Sequence, residues 1–335
     1  MKKRRIHVLM ICAVITVLAV FSAGCAKTNE NVQKDSSNQT QTAKPANESV
    51  TGPKDNSVAI TDMTGREIIL NGPVTRVVAL TPSDCEILYA VGGGETLVGR
   101  GEFCDYPKEV LRVPVVQSGV NTNLEQIISL KPQVLLMGTM AQTEEQVEAL
   151  EAAGIKVVVS DVHDIEDVYT SISLIGRLMN RDAEAEAVIA SMKETFVEVS
   201  AKAADFKGKT VYFEASPLQY GLWTAGSGTF MNEIAEMIGL KNCFSDITGW
   251  GEISEEQVFE RNPDYIVSAA MYSGEGPKPE EEIMSRKGWE NVNAVKNRAV
   301  LNLYNNELSR PTPRLADGAR MLFDFINSTT LKDQP

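Results

Sequence analysis

One short stretch of this chain occurs twice, and that repetition limits the folds open to it. Asn123 to Gly138 reads NLEQIISLKPQVLLMG, and Ser254 to Ala269 reads SEEQVFERNPDYIVSA. Both copies carry Glu-Gln, then a β-branched residue, and a Pro seven positions after the Glu: Glu125 with Pro132, Glu256 with Pro263. An apolar run follows each Pro, Val134 to Met137 in one copy and Tyr265 to Val267 in the other. Proline ends a helix and pushes the residue before it out of helical geometry. Each copy therefore reads as a short helix feeding a parallel strand buried on both faces. Two such units imply two similarly built lobes.

The rest of the chain fits that plan. Apolar residues make up 43 % and charged residues 23 %, as in a globular protein. Strands alternate with helices along the folded part, which predicts a parallel α/β architecture. A hairpin is expected around Thr64-Gly65-Arg66 in VAITDMTGREIIL. Arg76 to Leu80 reads as a buried strand, with Ser83 or Asp84 capping the helix that follows. The run Gly92-Gly93-Gly94 follows a helix and not a strand, so it marks a helix exit and not a dinucleotide fingerprint. Leu97 onward is read as a loop-rich passage, and SPLQYGLWTAGSG after strand Thr210–Ala215 as a loop. Asp164 to Asp205 has no Pro, and its apolar residues recur at helical spacing. It predicts one long helix crossing from lobe to lobe, with a break near Asn180-Arg181-Asp182 as the alternative. The expected organisation is residues 58–163 for one lobe, 164–205 for the connecting helix and 206–330 for the other lobe.

The start of the chain is different in kind. Lys2-Lys3-Arg4-Arg5, the apolar run Val8 to Phe21 and Ser22-Ala23-Gly24-Cys25 form an export signal over residues 1–24. Residues 25–57 are rich in Asn, Gln, Ser, Thr, Lys and Pro, and read as a flexible tether. The net charge is −13, which argues against nucleic acid and leaves no electrostatic route to an anionic membrane. There are two His, His7 and His163, and five Cys without a C-x-x-C pair, so a Cys/His zinc site is not expected. Cys85, Cys104 and Cys243 read as buried thiols and not as a disulfide framework, with a single bridge left open. No G-x-S-x-G elbow, P-loop or acid/base pair points to an enzyme.

TDMTGREIIL, RVVALTPSDCEILYAVG, CDYP, NLEQIISLKP, GLWTAGSGTFMNEIAEMIGLKN, SEEQVFERNPDYIV and SRPTPRL follow one another in an order that resembles the substrate-binding lipoproteins of ABC importers for cobalamin and ferric siderophores. The resemblance runs from about Val58 to Asn327. It implies two lobes with mainly parallel central sheets joined by a single long α-helix, a ligand cleft between them and little hinge motion. It implies that Cys25, in an Ala-Gly-Cys ending like a lipobox, is lipidated, although Ser22 stands where that motif prefers Leu. It places one Glu per lobe, Glu125 and Glu256, against Arg pockets of a permease dimer that works with ATPase subunits. Such a pair suits a two-fold partner and charge-assisted contacts. No cofactor is expected, and the protein is expected to act as a monomer.

For the ligand, the resemblance marks Pro82, Phe103, Trp223, Trp250 and Arg310. Gly119 departs from an expected aromatic residue and Asn306 from an expected acid. Phe103, Trp223 and Trp250 are read in loops at strand ends, where open α/β sheets place ligands, and flat apolar walls suit a corrin. A metal chelate is therefore expected, cobalamin first. A ferric siderophore comes second, met by Arg310, Arg314 and Tyr220. Haem comes third, held by a Tyr or by His163, which is read as following an interior strand.

Overall fold

In the computed structural model, residues 57–119, 121–139, 143–206, 208–270, 275–304 and 306–330 are described. The export signal, Cys25 and nearly all of the tether lie outside them. Residues Pro53–Pro335 make one compact unit.

The first half runs β1 (Val58–Thr61), β2 (Glu67–Leu70), β3 (Val77–Ala79), α1 (Pro82–Ala90), β4 (Leu97–Gly101), β5 (Val115–Val116), α2 (Leu124–Ser129), β6 (Val134–Gly138), α3 (Glu144–Ala152) and β7 (Lys156–Ser160). β1 and β2 form the expected hairpin. Asp62 closes its turn, accepting hydrogen bonds from the Thr64 and Arg66 amides, and ties it to β7 through the Val159 amide at 3.2 Å. The sheet order is β5-β4-β3-β6-β7, parallel throughout. β4 lies in the passage read from sequence as loop. Its glycines hid it: a Cβ on Gly101 would stand 2.1 Å from the Leu80 carbonyl oxygen, so the strand needs a residue of low strand propensity. The cap of α1 is Thr81, not Ser83 or Asp84; its hydroxyl accepts from the Asp84 amide at 3.3 Å.

The connector is two helices, not one. α4 (Ile165–Leu178) and α5 (Asp182–Ala201) are separated at Met179–Arg181, where Asn180 takes φ +54. Asn tolerates this left-handed conformation better than most residues. The alternative break is thus the one realised. Gly176 lets the two helices close up, since a Cβ there would lie 2.4 Å from Ala185 Cβ.

The second half runs β8 (Thr210–Ser216), β9 (Leu222–Ala225), α6 (Phe230–Met237), β10 (Lys241–Asn242), β11 (Trp250–Ile253), α7 (Glu255–Arg261), β12 (Tyr265–Ser268), α8 (Pro279–Ser285), α9 (Asn293–Lys296), β13 (Val300–Asn302) and α10 (Leu315–Thr330). Its sheet order is β11-β9-β8-β12-β13, with β10 on β8. β8, β12 and β13 are parallel, whereas β9 runs antiparallel to both of its neighbours, β8 and β11.

Alternate residues of each central strand enter different cores, as the two-residue period of a strand requires. Val77, Ala79 and Leu136 of the first sheet share one core with Val211, Phe213 and Val267 of the second, filled in by α4, α5 and α10. The opposite faces make two private cores, one with Val78, Leu135 and Val157, the other with Tyr212, Ile266 and Trp289. A shared core is stiffer than a hinge, because packed interiors do not deform continuously.

Candidate functional site

The two copies of the repeat take the same local form. Asn123 and Ser254 are the N-caps, accepting from the amides of Gln126 at 3.0 Å and Gln257 at 3.4 Å. Glu125 and Glu256 thereby occupy the same second helical position, and both are exposed. The Ser254 hydroxyl and the local backbone hold the Glu256 carboxyl below its usual range, the backbone contributing most. At each exit the residue before the Pro is left-handed, Lys131 at φ +49 and Asn262 at φ +44. One turn beyond each Glu stands an exposed apolar side chain, Ile128 (41 %) and Phe259 (40 %). Positions three apart on a helix are neighbours. Each lobe thus presents an acid beside an apolar knob.

The anchors behind these helices differ. Gln126 donates to the Val115 carbonyl at 2.6 Å. In the second lobe Glu255 accepts from Trp289 Nε1 at 2.5 Å, and Trp289 lies under Arg286, whose guanidinium is 4.5 Å from its ring. Arg286 is itself clamped by Glu214 at 2.7 and 2.8 Å and by Glu282. Burial alone would lower the Arg286 pKa; Glu214 and Glu282 more than reverse it, so the cation is fixed.

The lobes meet at a second set of charges. Arg310, after β13, donates to Glu86 on α1 at 3.1 Å, to Asp105 at 2.5 Å and to the Phe103 carbonyl at 3.2 Å. Arg314 donates to Glu86 at 2.8 and 2.7 Å and lies 4.1 Å from the Tyr106 ring. Glu307 is 3.8 Å from Arg314. Glu86 and Arg310 are buried. Burial would lower the Arg310 pKa, and the Asp105 and Glu86 carboxylates more than reverse it. Two guanidinium groups thus face three carboxylates, and neither is a free anion receptor. Asn306, at φ +64, lines a cavity of about 210 Å³ together with Ala215, Met231, Trp250, Ala269, Ser309 and Arg310. The acid expected at 306 stands one residue later: Glu307 is buried, and one of its oxygens has no hydrogen-bond partner.

The three aromatic candidates are all exposed. Phe103 is 58 % exposed, Trp223 41 % and Trp250 39 %. The two Trp are on strands, not in loops: Trp223 within β9 and Trp250 at the start of β11. Both strands are too short to show a readable alternation, and Gly221 and Gly249 beside them gave the stretch the look of a loop. Trp250 pairs with Ala225 and Glu252 with Trp223, which puts both indoles on one face of the ribbon. Trp250 also meets the Phe230 ring edge-on at 5.9 Å. Arg310 and Trp250 line one cavity and Phe103 touches Arg310 through its carbonyl; Pro82 is the first residue of α1, the helix that carries Glu86.

One expectation does not carry over. His163 follows β7, an edge strand and not an interior one, and it is exposed beside Asp161. Tyr220 is exposed in the turn between β8 and β9. Gly119 takes φ +90. Sequence reasoning also passed over Glu86, Asp105 and Tyr106. The signal for Glu86 was an acid inside an apolar helical run, CEILYAV; Asp105 and Tyr106 belong to the quoted CDYP without having been singled out. Among the described residues no group of three or more His, Cys, Asp or Glu is placed to hold a metal ion, and no helix is long and apolar enough to cross a membrane.

Two sheets of matching order, a shared helical core and a charged, aromatic-rimmed seam define a two-lobed binding protein. The sequence matches the family described as periplasmic binding protein over residues 77–306. It is 33 % identical over 329 residues to the uncharacterized ABC transporter substrate-binding lipoprotein YvrC of Bacillus subtilis, covering 96 % of this chain and 98 % of that one. It is 28 % identical over 256 residues to the vitamin B12-binding protein of Salmonella typhimurium, covering 75 % and 90 %. A crystal structure of a possible iron-binding, periplasmic solute-binding protein from Staphylococcus epidermidis superposes with a TM-score of 0.63 at 32 % identity, covering 76 % of this chain and 98 % of that one. The chain belongs to the periplasmic binding protein family and is a substrate-binding protein of an ABC importer.

Proposed function

We propose that the protein captures a metal chelate in the seam between its lobes, cobalamin by preference, and hands it to a permease without chemical change. The observation that carries this reading is the pairing of exposed aromatics with spent cations. Phe103, Trp223 and Trp250 offer flat apolar surface, while Arg310 and Arg314 are already neutralised by Glu86, Asp105 and Glu307. A polyanionic catecholate would meet a site with more carboxylates than guanidinium groups. A corrin needs aromatic walls and a few hydrogen bonds. Pro82 and Arg310 would complete the contacts. The vitamin B12-binding relative supports the same preference.

Cys25 would carry the lipid that holds the protein at the extracytoplasmic face of the membrane, with residues 26–57 as tether. Glu125 and Glu256, each with its apolar neighbour Ile128 or Phe259, would dock on two equivalent subunits of the permease, to which the ATPase subunits attach. The protein would act there as a monomer, since its two lobes already supply the two-fold set of contacts.

Adding cyanocobalamin to purified 58–335 should quench tryptophan fluorescence with a sub-micromolar midpoint. Silence with cyanocobalamin, and quenching by a ferric hydroxamate, a ferric catecholate or haemin, would move the ligand assignment to that chelate.

A further inference from the structure

Two buried thiols take no part in the site described above, yet both lie directly under it. Cys85 is on α1 and Cys104 in the turn after β4. Both are fully or almost fully buried and unbridged. They converge on one atom: Cys85 Sγ is 3.7 Å and Cys104 Sγ 3.9 Å from the carbonyl oxygen of Ala79. The Cys104 thiol is also within hydrogen-bonding reach of Cys85 and is the first cause, ahead of burial, that holds the Cys85 thiol well above its usual range. The third cysteine of the folded region, Cys243, lies in the other lobe, where burial pushes its thiol up to about 12.

We propose that Cys85 and Cys104 are a site of covalent modification and close as a disulfide beneath the rim of the cleft. The proposal rests on the reading that the chain is exported, because disulfides persist in oxidising compartments and not in a reducing cytosol. In the reaction one thiolate attacks the disulfide of an extracytoplasmic thiol–disulfide oxidoreductase, and the second displaces the mixed disulfide. Two S–H bonds and the S–S bond of the oxidoreductase break, one S–S bond forms in this chain, and the two electrons and two protons leave with the oxidoreductase as its dithiol. A thiol as hard to ionise as that of Cys85 is a poor nucleophile once folded. The bond therefore forms before the turn at 101–107 packs down, or when that turn opens.

The neighbours of the pair give the bond its consequence. Cys85 stands between Asp84 and Glu86, and Cys104 between Phe103 and Asp105. Glu86 and Asp105 are the two carboxylates that hold Arg310. A bond between Cys85 and Cys104 would fix that half of the seam, and Phe103 with it, covalently.

The test uses the full chain with its leader, expressed in cells, with free thiols blocked by N-ethylmaleimide under denaturing conditions. Peptide mapping without reductant should recover Cys85 linked to Cys104, with Cys243 carrying maleimide. Maleimide on both Cys85 and Cys104 in processed, exported protein would overturn the proposal. An unprocessed leader would instead signal failure of the export reading. Purified protein refolded in oxidised glutathione then decides: a Cys85–Cys104 link supports the pairing, and two free thiols refute it. Reduction should lower the melting temperature of wild type and of Cys243→Ala by several degrees, yet leave Cys85→Ala and Cys104→Ala unmoved. An equal response in all four would remove the bond from the account.

Discussion

The two sheets share a strand order but not a set of directions. β3, β6 and β7 correspond to β8, β12 and β13, and in both lobes these strands are parallel. Beyond the central strand the lobes part. β4 and β5 continue parallel, while β9 and β11 turn back as an antiparallel ribbon. The matched half carries the repeat, with Glu125 and Glu256 at one helical position. The unmatched half carries the ligand candidates: a turn with Phe103 in one lobe, a ribbon face with Trp223 and Trp250 in the other. A symmetric permease would ask for equal contacts and an asymmetric ligand would not, so the two proposed roles fall on different halves of the fold.

The largest expected effect tests the matched half. Glu125→Ala combined with Glu256→Ala should abolish transport of the bound ligand in cells and leave its affinity in solution unchanged. The two single variants should lose transport to the same degree. Unequal losses would break the equivalence of the lobes, and a fall in affinity would show that the carboxylates belong to the cleft.

Next in size are the anchors behind the two repeat helices, α2 and α7. Arg286→Met leaves Glu214 buried without its cation, a change that typically costs about 3–5 kcal/mol. Gln126→Ala removes two hydrogen bonds at a partly exposed site, to the Val115 carbonyl and from the Gln117 amide, together worth about 2 kcal/mol. Urea unfolding of both variants would measure the difference, and equal costs would mean that the lobes are anchored alike. Adding Glu214→Leu to Arg286→Met should recover much of the loss, since a well-packed apolar pair can replace a buried ion pair.

Asp84, on α1 of the first lobe, is buried as Glu214 is on β8, but among the described residues it makes no ion pair. Burial raises its carboxyl to about 6, against the opposing pull of hydrogen bonds from the hydroxyls of Thr81 and Ser160. From an ordinary value of 3.8 that shift corresponds to something on the order of 3 kcal/mol. The folded chain then holds a proton that the unfolded chain has released between about pH 4 and 6, so this group's contribution is complete below pH 4 and lost as pH rises through 6. Asp84→Asn should remove that slope. The difference in unfolding free energy between wild type and variant, followed from pH 4 to 7, isolates Asp84 because every other carboxylate is common to both proteins. A difference that stays flat would mean that Asp84 ionises normally in the fold.

What was legible in the sequence followed from chemistry that acts locally. Pro132 and Pro263 announce helix exits, and Val134 to Met137 can only be a buried strand or part of a buried helix. The repeat resolves that ambiguity by showing the unit twice. What was not legible depends on residues distant in the chain. Gly99 and Gly101 argue against a strand until Leu130 and Leu80 are seen packed against β4. Trp223 becomes a strand residue only because Glu252 and Ser216 pair with it from either side. Glu86 looks like a solvated acid until Arg310 and Arg314 arrive from the far end of the chain. The break at Asn180 was visible as an alternative because Asn is a residue that accepts φ > 0, yet periodicity alone favoured continuity.

The smallest effect sharpens the unmatched half. Trp250 is still more than a third exposed although it lies edge-on to Phe230 and lines the cavity beside Arg310. An indole that stacks on a ligand gains the burial of its remaining face, and Trp250→Ala should weaken binding by about 1–3 kcal/mol. Trp223 lies on the same ribbon face, diagonal to it, and Trp223→Ala should act in the same direction. Calorimetric titration of the two variants and of Phe103→Ala would show whether ribbon and turn share the ligand. Losses confined to the ribbon variants would make the second lobe the principal wall, and a loss confined to Phe103→Ala would move the site to the first. An unchanged affinity for Trp250→Ala, with a lower melting temperature, would return that indole to the packing around Phe230.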